Sequence, residues 1–354
     1  MIGPTGYKSL VARRQGKYIM QSAKLVVGID VGKEWLDVCY PNGKKEHVRN
    51  TRSGRTKVVK KAEALGAIVC FEATGPYEEP LADECLARNV RAVRLDAWGA
   101  RRFAESQGRI EKTDRIDCEM IRDYALSLKD EKLHFIKPRT DAYKRLKKAL
   151  RTRRNLKKAR GIIANQFEDD LDPETAKHLR NALGSIDRNI KRVEEECAAA
   201  IASDERLKDL DRRFRKVKGV GPCLSRTMLA CCPDVGEFNP KSIAKMCGNA
   251  PISCESCTIR KTARPRRGKG ELTEALYMAA VSASRNNHVL RVFYQRLVAN
   301  GKARKLALTA VARKLAILLN TIAKYPDFEP AQDPKDTAKA NRAKRGRGRP
   351  RKTA

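Results

Sequence analysis

Two aspartates spaced three residues apart constrain the fold of this chain more than any other feature. Asp114 and Asp117 open a helical pattern that runs to about Leu128. Its apolar positions share roughly one third of the helix circumference: Ile121, Tyr124, Ala125 and Leu128. Both carboxylates project into this apolar sector, whereas Glu119 and Arg122 take the opposite side. Acids on a buried stripe cost stability unless they are compensated, and Mg²⁺ compensates them because it prefers carboxylate oxygens. The alternative is a first-turn pair favoured by the helix dipole.

The charge of the chain predicts a polyanionic partner. Lysine and arginine number 76 against 42 acidic residues, which gives a net charge of +34, and DNA or another nucleic acid is the partner such an excess favours. A hydrophobic content of 41% over 354 residues supports two domains with genuine cores, or three if a linker folds independently. The start of the chain has no apolar signal segment, and Arg313 and Lys314 interrupt the most apolar later stretch, 306–319. These features predict a cytoplasmic, nucleoid-associated protein that does not enter membranes.

Residues 24–138 are predicted to form an α/β domain that begins with hairpin strands, preceded by a basic extension over 1–23. Short apolar runs predict strands at 25–31, 35–40, 46–50, 67–71 and 90–95. Helical patterns fall at about 55–65 and 77–88. Strands and helices that alternate in this way place strand ends at a common edge, where functional groups collect.

Acidic residues stand at two of these predicted strand ends. Asp30 lies near the end of the first strand, and Glu72 directly follows a later one. Singly, Asp30 reads as a turn residue and Glu72 as a helix cap. Together with Asp114 and Asp117 they predict a site for two Mg²⁺ ions, which hold the attacking and leaving oxygens of a phosphoryl transfer in line.

The second half of the chain is predicted to be mainly helical. Residues 139–212 read as a coiled-coil linker made of two helical runs, which is either a solvated spacer or, through its basic first arm, a nucleic-acid contact. Residues 213–328 are predicted to form a further domain, and 329–354 a disordered basic tail. Within the tail, Arg347 and Arg349 resemble the core of an AT-hook, which enters the minor groove of A·T-rich DNA. A nonspecific basic tail is the alternative.

Two features of the 213–328 domain predict contact with nucleic acid. Gly219 and Gly221 bound a turn that precedes a helix. A turn of this kind exposes backbone N–H groups that can bind a phosphate. This turn resembles a helix-hairpin-helix element, and a plain interhelical turn is the alternative. Further on, a predicted loop rich in glycine and proline carries six basic residues: Arg260, Lys261, Arg264, Arg266, Arg267 and Lys269.

Three N-terminal motifs resemble those of the DEDD insertion-sequence transposases, the insertion-sequence one-ten family related to Piv-type invertases. The motifs are Gly28-Ile-Asp-Val-Gly-Lys33, Glu72-Ala-Thr-Gly-Pro-Tyr77 and Lys112-Thr-Asp-Arg-Ile-Asp117. The resemblance implies a RuvC-like N-terminal domain with a ribonuclease H fold. It also implies that the family's four catalytic acids correspond to Asp30, Glu72, Asp114 and Asp117.

The second half resembles the serine-bearing transposase domain of the same family. Gly248-Asn-Ala-Pro251 corresponds to its Gly-x-Ala-Pro turn, and Ser256 to the serine five positions after the proline. The resemblance implies that Ser256 attacks DNA phosphodiesters beside Mg²⁺ held by the acids. It further implies a homo-oligomer, a dimer or tetramer whose site combines both domains, and a guide RNA encoded by the element.

The chain departs from the family pattern at three positions, and two other functions are compatible with the sequence. Cys257 stands where a glycine usually follows the serine, and Glu271 and Glu274 stand where the family is usually basic. One rival is a RuvC-like structure-specific nuclease that uses metal and water alone. The other is a non-catalytic scaffold that binds nucleic acid. The four acids argue against the scaffold, and the serine motif argues against the simple nuclease.

Overall fold

The computed structural model divides the chain into two compact units, Met1–Pro138 and Arg139–Ala354, here called the N-terminal and C-terminal units. It describes residues 13–14, 17–18, 24–72, 75, 77–108, 114–167, 171–256, 259–265 and 270–330. For 13–14, 17–18, 114–116, 251–256 and 259–265 it describes the backbone alone.

The described part of the N-terminal unit is an α/β arrangement, as predicted. Its strands are β1 (Arg13–Arg14), β2 (Lys17–Tyr18), β3 (Val26–Val31), β4 (Trp35–Cys39), β5 (Lys45–Arg49), β6 (Ile68–Glu72) and β7 (Ala92–Leu95). Its α-helices are α1 (Arg52–Ala64), α2 (Glu79–Ala87), α3 (Ala97–Ser106) and α4 (Asp114–Ser127), and a 3-10 turn covers Asp130–Lys132. A five-stranded mixed sheet has the order β5-β4-β3-β6-β7. Strands β5, β4 and β3 are antiparallel, whereas β3, β6 and β7 run parallel.

Alternation along β3 separates two apolar cores on the two faces of this sheet. Val27 and Ile29 point into a core that includes Val58 and Val59 of α1. Val26 points to the opposite face, where its core includes residues of α4 and of the neighbouring strands: Ile68, Cys70, Val93, Leu95, Ile121 and Ala125. Because side chains alternate between faces, Gly28 and Asp30 share the face that α4 covers.

Gly28 allows α4 to pack directly on β3. A Cβ at this position would collide with the carbonyl oxygen of Cys118 and lie 2.6 Å from the Arg122 backbone nitrogen. Backbone atoms cannot move aside as a side chain can, so a residue larger than glycine would lift the helix from the sheet. The glycine of the first motif therefore has a packing role beside the acid that follows it.

The apolar stripe predicted for α4 is confirmed, with one correction. Ile121 and Ala125 are buried, as expected. Arg122, predicted to face away from the core, has only 14% of its side chain exposed. Its guanidinium donates to Cys39 Sγ (3.1 Å) and to the Tyr40 carbonyl (3.3 Å), so the interior face of the helix is wider than its apolar residues indicate.

The described part of the C-terminal unit is mainly helical, as predicted. Its helices are α5 (Asp141–Ala164), α6 (Pro173–Ala202), α7 (Glu205–Arg215), α8 (Pro222–Cys231), α9 (Pro240–Met246), α10 (Gly270–Asn286), α11 (His288–Ala299) and α12 (Arg304–Lys324). Two strands, β8 (Pro251–Ser256) and β9 (Ile259–Pro265), form an antiparallel hairpin. The prediction of a loop around Arg260–Arg264 is therefore wrong.

The first two helices of this unit form an antiparallel hairpin. Arg153 pairs with Glu194 (2.6 Å), and Arg160, further along α5, pairs with Asp187, which is earlier on α6. The second of the two helical runs predicted within the 139–212 linker is divided, because Asp204 caps a new helix by accepting from the Leu207 amide.

Helix α12 is long and apolar enough by composition to cross a membrane, with 44% of its most apolar window buried. It contributes Val311, Leu315 and Leu319 to the main core of the C-terminal unit. A core helix passes the same length and composition test. Its place in that core identifies it as a central packing element.

Candidate functional site

Asp30 and Glu72 lie side by side on the sheet face that α4 covers. Ile29 of β3 is in register with Phe71 of β6, and each acid is the next residue along its strand. Parallel neighbours lie roughly 4.8 Å apart. Ile29 and Phe71 both point into the opposite core, so Asp30 and Glu72 share the other face.

Helix α4 runs antiparallel to β3, which brings its first turn toward Asp30. Lys24, just before β3, donates to the carbonyl of Leu128, the residue that follows α4 (3.0 Å). Near its middle, the helix contacts Gly28 through Cys118. The beginning of α4 therefore extends toward the end of the strand, on the side of Asp30. Asp117 is partly exposed there, and the Asp114 side chain lies outside what is described.

The donor chemistry of this face suits Mg²⁺. Asp30, Glu72 and Asp117 offer carboxylate oxygens only, which are the ligands this hard cation prefers. Among the residues whose side chains are described, however, no three acidic, histidine or cysteine side chains are grouped closely enough to hold an ion. The described acids therefore share a face without forming a complete cluster by themselves.

A further acid, Asp37, stands beside Asp30 and was not found from the sequence. Asp30 and Asp37 are direct partners in the antiparallel β3–β4 pair, so their side chains share a face. Asp37 is only 13% exposed, and its Oδ1 lies 2.8 Å from His47 Nδ1. Because Asp37 alternates with Leu36 and Val38, the sequence indicates that Asp37 lies on the other face of the sheet from these two residues. Only the register of the hairpin shows that Asp37 is the direct partner of Asp30.

In the C-terminal unit, Ser256 is the last residue of β8. It pairs with Ile259, the first residue of β9, and Arg260 pairs with Glu255. Lys261 and Arg264 continue along β9, in register with Cys254 and Ile252. The predicted nucleophile and three of the predicted basic residues thus belong to one small hairpin. Arg266, Arg267, Lys269, Arg347 and Arg349 lie outside the described residues.

Gly219 and Gly221 line a cavity of about 710 Å³ between α5, α8 and α10. Gly219 has a positive φ of 100°, and a Cβ there would collide with Ala283, so the fold itself requires this glycine. Gly221 is the N-cap of α8, which has no side-chain cap, and no atom lies within 4 Å of where its Cβ would stand. Pro222 at the start of α8 has no N–H group, so the first free N–H groups of the helix belong to Cys223 and Leu224, which also line this cavity.

Basic and acidic side chains meet in the same cavity. Its lining includes Arg154, Lys157 and Lys158 of α5, as well as Glu271 and Glu274 of α10. Arg154 pairs with Glu271 at 3.7 Å. Burial raises the pKa of Glu271, and the charge of Arg154 partly opposes this effect. The two glutamates thus reduce the positive charge that α5 brings to the cavity.

Comparison with known families gives two matches along the chain. Residues 27–173 match the family DEDD_Tnp_IS110, described as a transposase. Residues 211–295 match a second family, described as Transposase IS116/IS110/IS902 family. Together the matches cover about two thirds of the 354 residues and include both the acid-bearing sheet and the serine-bearing hairpin. No curated protein matches the chain.

Proposed function

The chain belongs to the IS110 family of transposases, and on that basis we propose that it cleaves and rejoins DNA through Mg²⁺-binding carboxylates and a nucleophilic serine. A transposase of this family acts on DNA. The observation that carries the carboxylate half of the proposal is that Asp30 and Glu72 each follow a residue of the registered pair Ile29–Phe71, which puts both acids on the face of the sheet covered by α4. The sheet order, three antiparallel strands extended by two parallel ones, supports a RuvC-like ribonuclease H fold.

In the proposed reaction, the carboxylates of Asp30, Glu72, Asp114 and Asp117 would hold Mg²⁺. The bound ion would stabilise charge on the phosphate oxygens. Ser256 Oγ forms a bond to phosphorus as the bond to the leaving DNA oxygen breaks, and the serine proton passes to that oxygen. Attack by a DNA hydroxyl on the serine-linked phosphate reverses these steps and rejoins a strand.

Basic residues near the serine would assist this step. A serine hydroxyl is a poor nucleophile until a base, a metal or a positive field assists it. Arg260 and Lys261 follow Ser256 across the hairpin turn, where their charge suits a scissile phosphate. Association of subunits through the 139–212 linker into a dimer or tetramer, and a guide RNA, are part of the proposal on the strength of the family resemblance.

The proposal is tested with purified protein and DNA that contains the ends of the element. Strand cleavage and rejoining are expected with Mg²⁺ and should stop when EDTA is added, as resolved on denaturing gels. Binding without cleavage in any divalent metal would favour the scaffold. Cleavage that never rejoins strands would favour the nuclease.

The cavity around Gly221 predicts opposite effects for two charge changes. Lys157→Ala should weaken DNA binding and reduce the salt slope by roughly one unit, because one phosphate contact is lost. Glu271→Gln should strengthen binding, because it frees Arg154 from its acidic partner. Fluorescence anisotropy over a range of NaCl concentrations measures both effects.

The matched control is Lys60→Ala, which removes an exposed lysine from α1 in the other unit. Equal losses for Lys60→Ala and Lys157→Ala would mean that the cavity has no special part in binding. A weaker complex after Glu271→Gln would contradict the assigned direction of its effect.

A further inference from the structure

An exposed stack of rings lies on the sheet beside the proposed carboxylate site. Trp35 and His47 stack with ring centroids 4.3 Å apart and planes inclined by 19°. The guanidinium carbon of Arg49 lies 5.1 Å from the centre of the Trp35 ring. These three residues, here called the Trp35 stack, occupy neighbouring positions on β4 and the edge strand β5.

The Trp35 stack connects to the carboxylates through the sheet register. His47 is the direct partner of Asp37, and Asp37 is the direct partner of Asp30. Two strand spacings, roughly 10 Å in total, therefore separate His47 from Asp30. The hydrogen bond between His47 Nδ1 and Asp37 Oδ1 fixes the imidazole at 2.8 Å, so the stack has a defined position relative to the acids.

Solvent exposure distinguishes this stack from an ordinary packing contact. Trp35 is 37% exposed, and half of the His47 side chain is exposed. Cross-strand aromatic pairs do stabilise a sheet edge, but such a role does not require that both side chains of the pair be partly open to solvent. Rings and a guanidinium plane open to solvent are the groups that stack on nucleic-acid bases.

We infer that the Trp35 stack binds an unpaired base of the DNA strand next to the scissile phosphate. Its occupant is argued from charge and position. The stack carries Arg49 and lies on a chain of net charge +34, which favours a polyanionic strand. An unpaired base exposes the π-face that stacking needs, whereas a paired base in a duplex does not. The position next to the scissile phosphate rests on the proposed carboxylate site.

Intrinsic fluorescence tests this inference directly, because the chain has two tryptophans. In the Trp98→Phe variant, Trp35 is the only tryptophan. Its fluorescence should fall when a DNA duplex that contains a single-stranded gap binds in metal-free buffer. In Trp35→Phe the only indole is Trp98, which is similarly exposed (43%) and also has an arginine over its ring. Its emission should not change. Anisotropy of the labelled DNA shows when each protein is saturated.

Affinity gives a second measurement. The double variant Trp35→Ala/His47→Ala should bind gapped DNA roughly ten-fold more weakly and fully paired DNA as well as the parent does. Trp98→Ala should change neither affinity. A Trp35 signal that stays constant at saturation, equal losses on gapped and paired DNA, or quenching by single-stranded RNA but not by DNA would each overturn the inference.

Failure of the inference can be distinguished from failure of the proposed function. The fluorescence measurement needs no metal and no cleavage, so Asp117→Asn protein should be quenched like its parent. Quenching in a protein that never cleaves DNA would support the stack and contradict the carboxylate chemistry. Metal-dependent cleavage without quenching would contradict the stack alone.

Discussion

Asp117→Asn is expected to abolish Mg²⁺-dependent DNA cleavage while the N-terminal unit remains folded. The change keeps the size of the side chain but removes the negative charge of its carboxylate, which lies on α4 toward the sheet face that carries Asp30. Metal ions contribute several kcal/mol to the stabilisation of such transition states, so cleavage should slow by about a thousand-fold or more. Rates of strand cleavage under single-turnover conditions measure the effect.

Asp123→Asn is the matched control, because Asp123 lies on the same helix and pairs with Arg122 instead of facing Asp30. It should cleave DNA at close to the parental rate. Thermal melting adds a readout that is independent of cleavage. Mg²⁺ should raise the melting temperature of the parent and of Asp123→Asn, because binding to the folded state stabilises it, but not that of Asp117→Asn. Normal cleavage by Asp117→Asn would remove Asp117 from the site.

The N-terminal sheet was largely predictable because its strands are short apolar runs. The strands predicted at 25–31 and 67–71 are found as Val26–Val31 and Ile68–Glu72. Burial on both faces leaves a signal in composition alone, and the acids Asp30 and Glu72 are the residues of these two strands that are only partly buried. The face on which they lie follows from alternation once the strands are known.

Relations between elements were less predictable than the elements themselves. The pairing of Asp30 with Asp37 depends on hairpin register, which the turn sets. The direction of α4 over β3 becomes known only from the bond between Lys24 and Leu128 together with the approach of Gly28 to Cys118. Periodicity within a single segment contains no information about either relation. Asp37 was missed for this reason, although its own strand was predicted.

The β8–β9 hairpin was missed because its composition is unusual for strands. Arg260, Lys261 and Arg264 occupy β9, and Pro251 and Pro265 are partners at the open end of the hairpin. Charge and proline both lower the β-propensity of such a segment. Helix α3 was missed as well. Its start depends on Asp96, which caps the helix by accepting from the Gly99 amide at 3.1 Å.

Ser256→Ala is expected to abolish a covalent protein–DNA adduct that the parent forms when rejoining is blocked. If the serine oxygen attacks phosphorus, the protein remains linked to one DNA end until a DNA hydroxyl displaces it. The adduct should appear as a band of reduced mobility that survives denaturant and disappears after protease treatment. Cleavage should fall with it by about a thousand-fold or more, because no other group then receives the phosphoryl group.

Ser253→Ala is the matched control for this experiment. Both serines lie on β8, but Ser253 is two positions after Pro251 and Ser256 is five. The substitution removes the same hydroxyl from the same strand, so a general weakening of the hairpin would affect both variants alike. Loss of the adduct in Ser256→Ala alone identifies the nucleophile. If Ser256→Ala still forms the adduct, another group attacks the DNA. If the parent cleaves without an adduct under every trapping condition, the carboxylates act with water, and the chain is a metal-dependent nuclease.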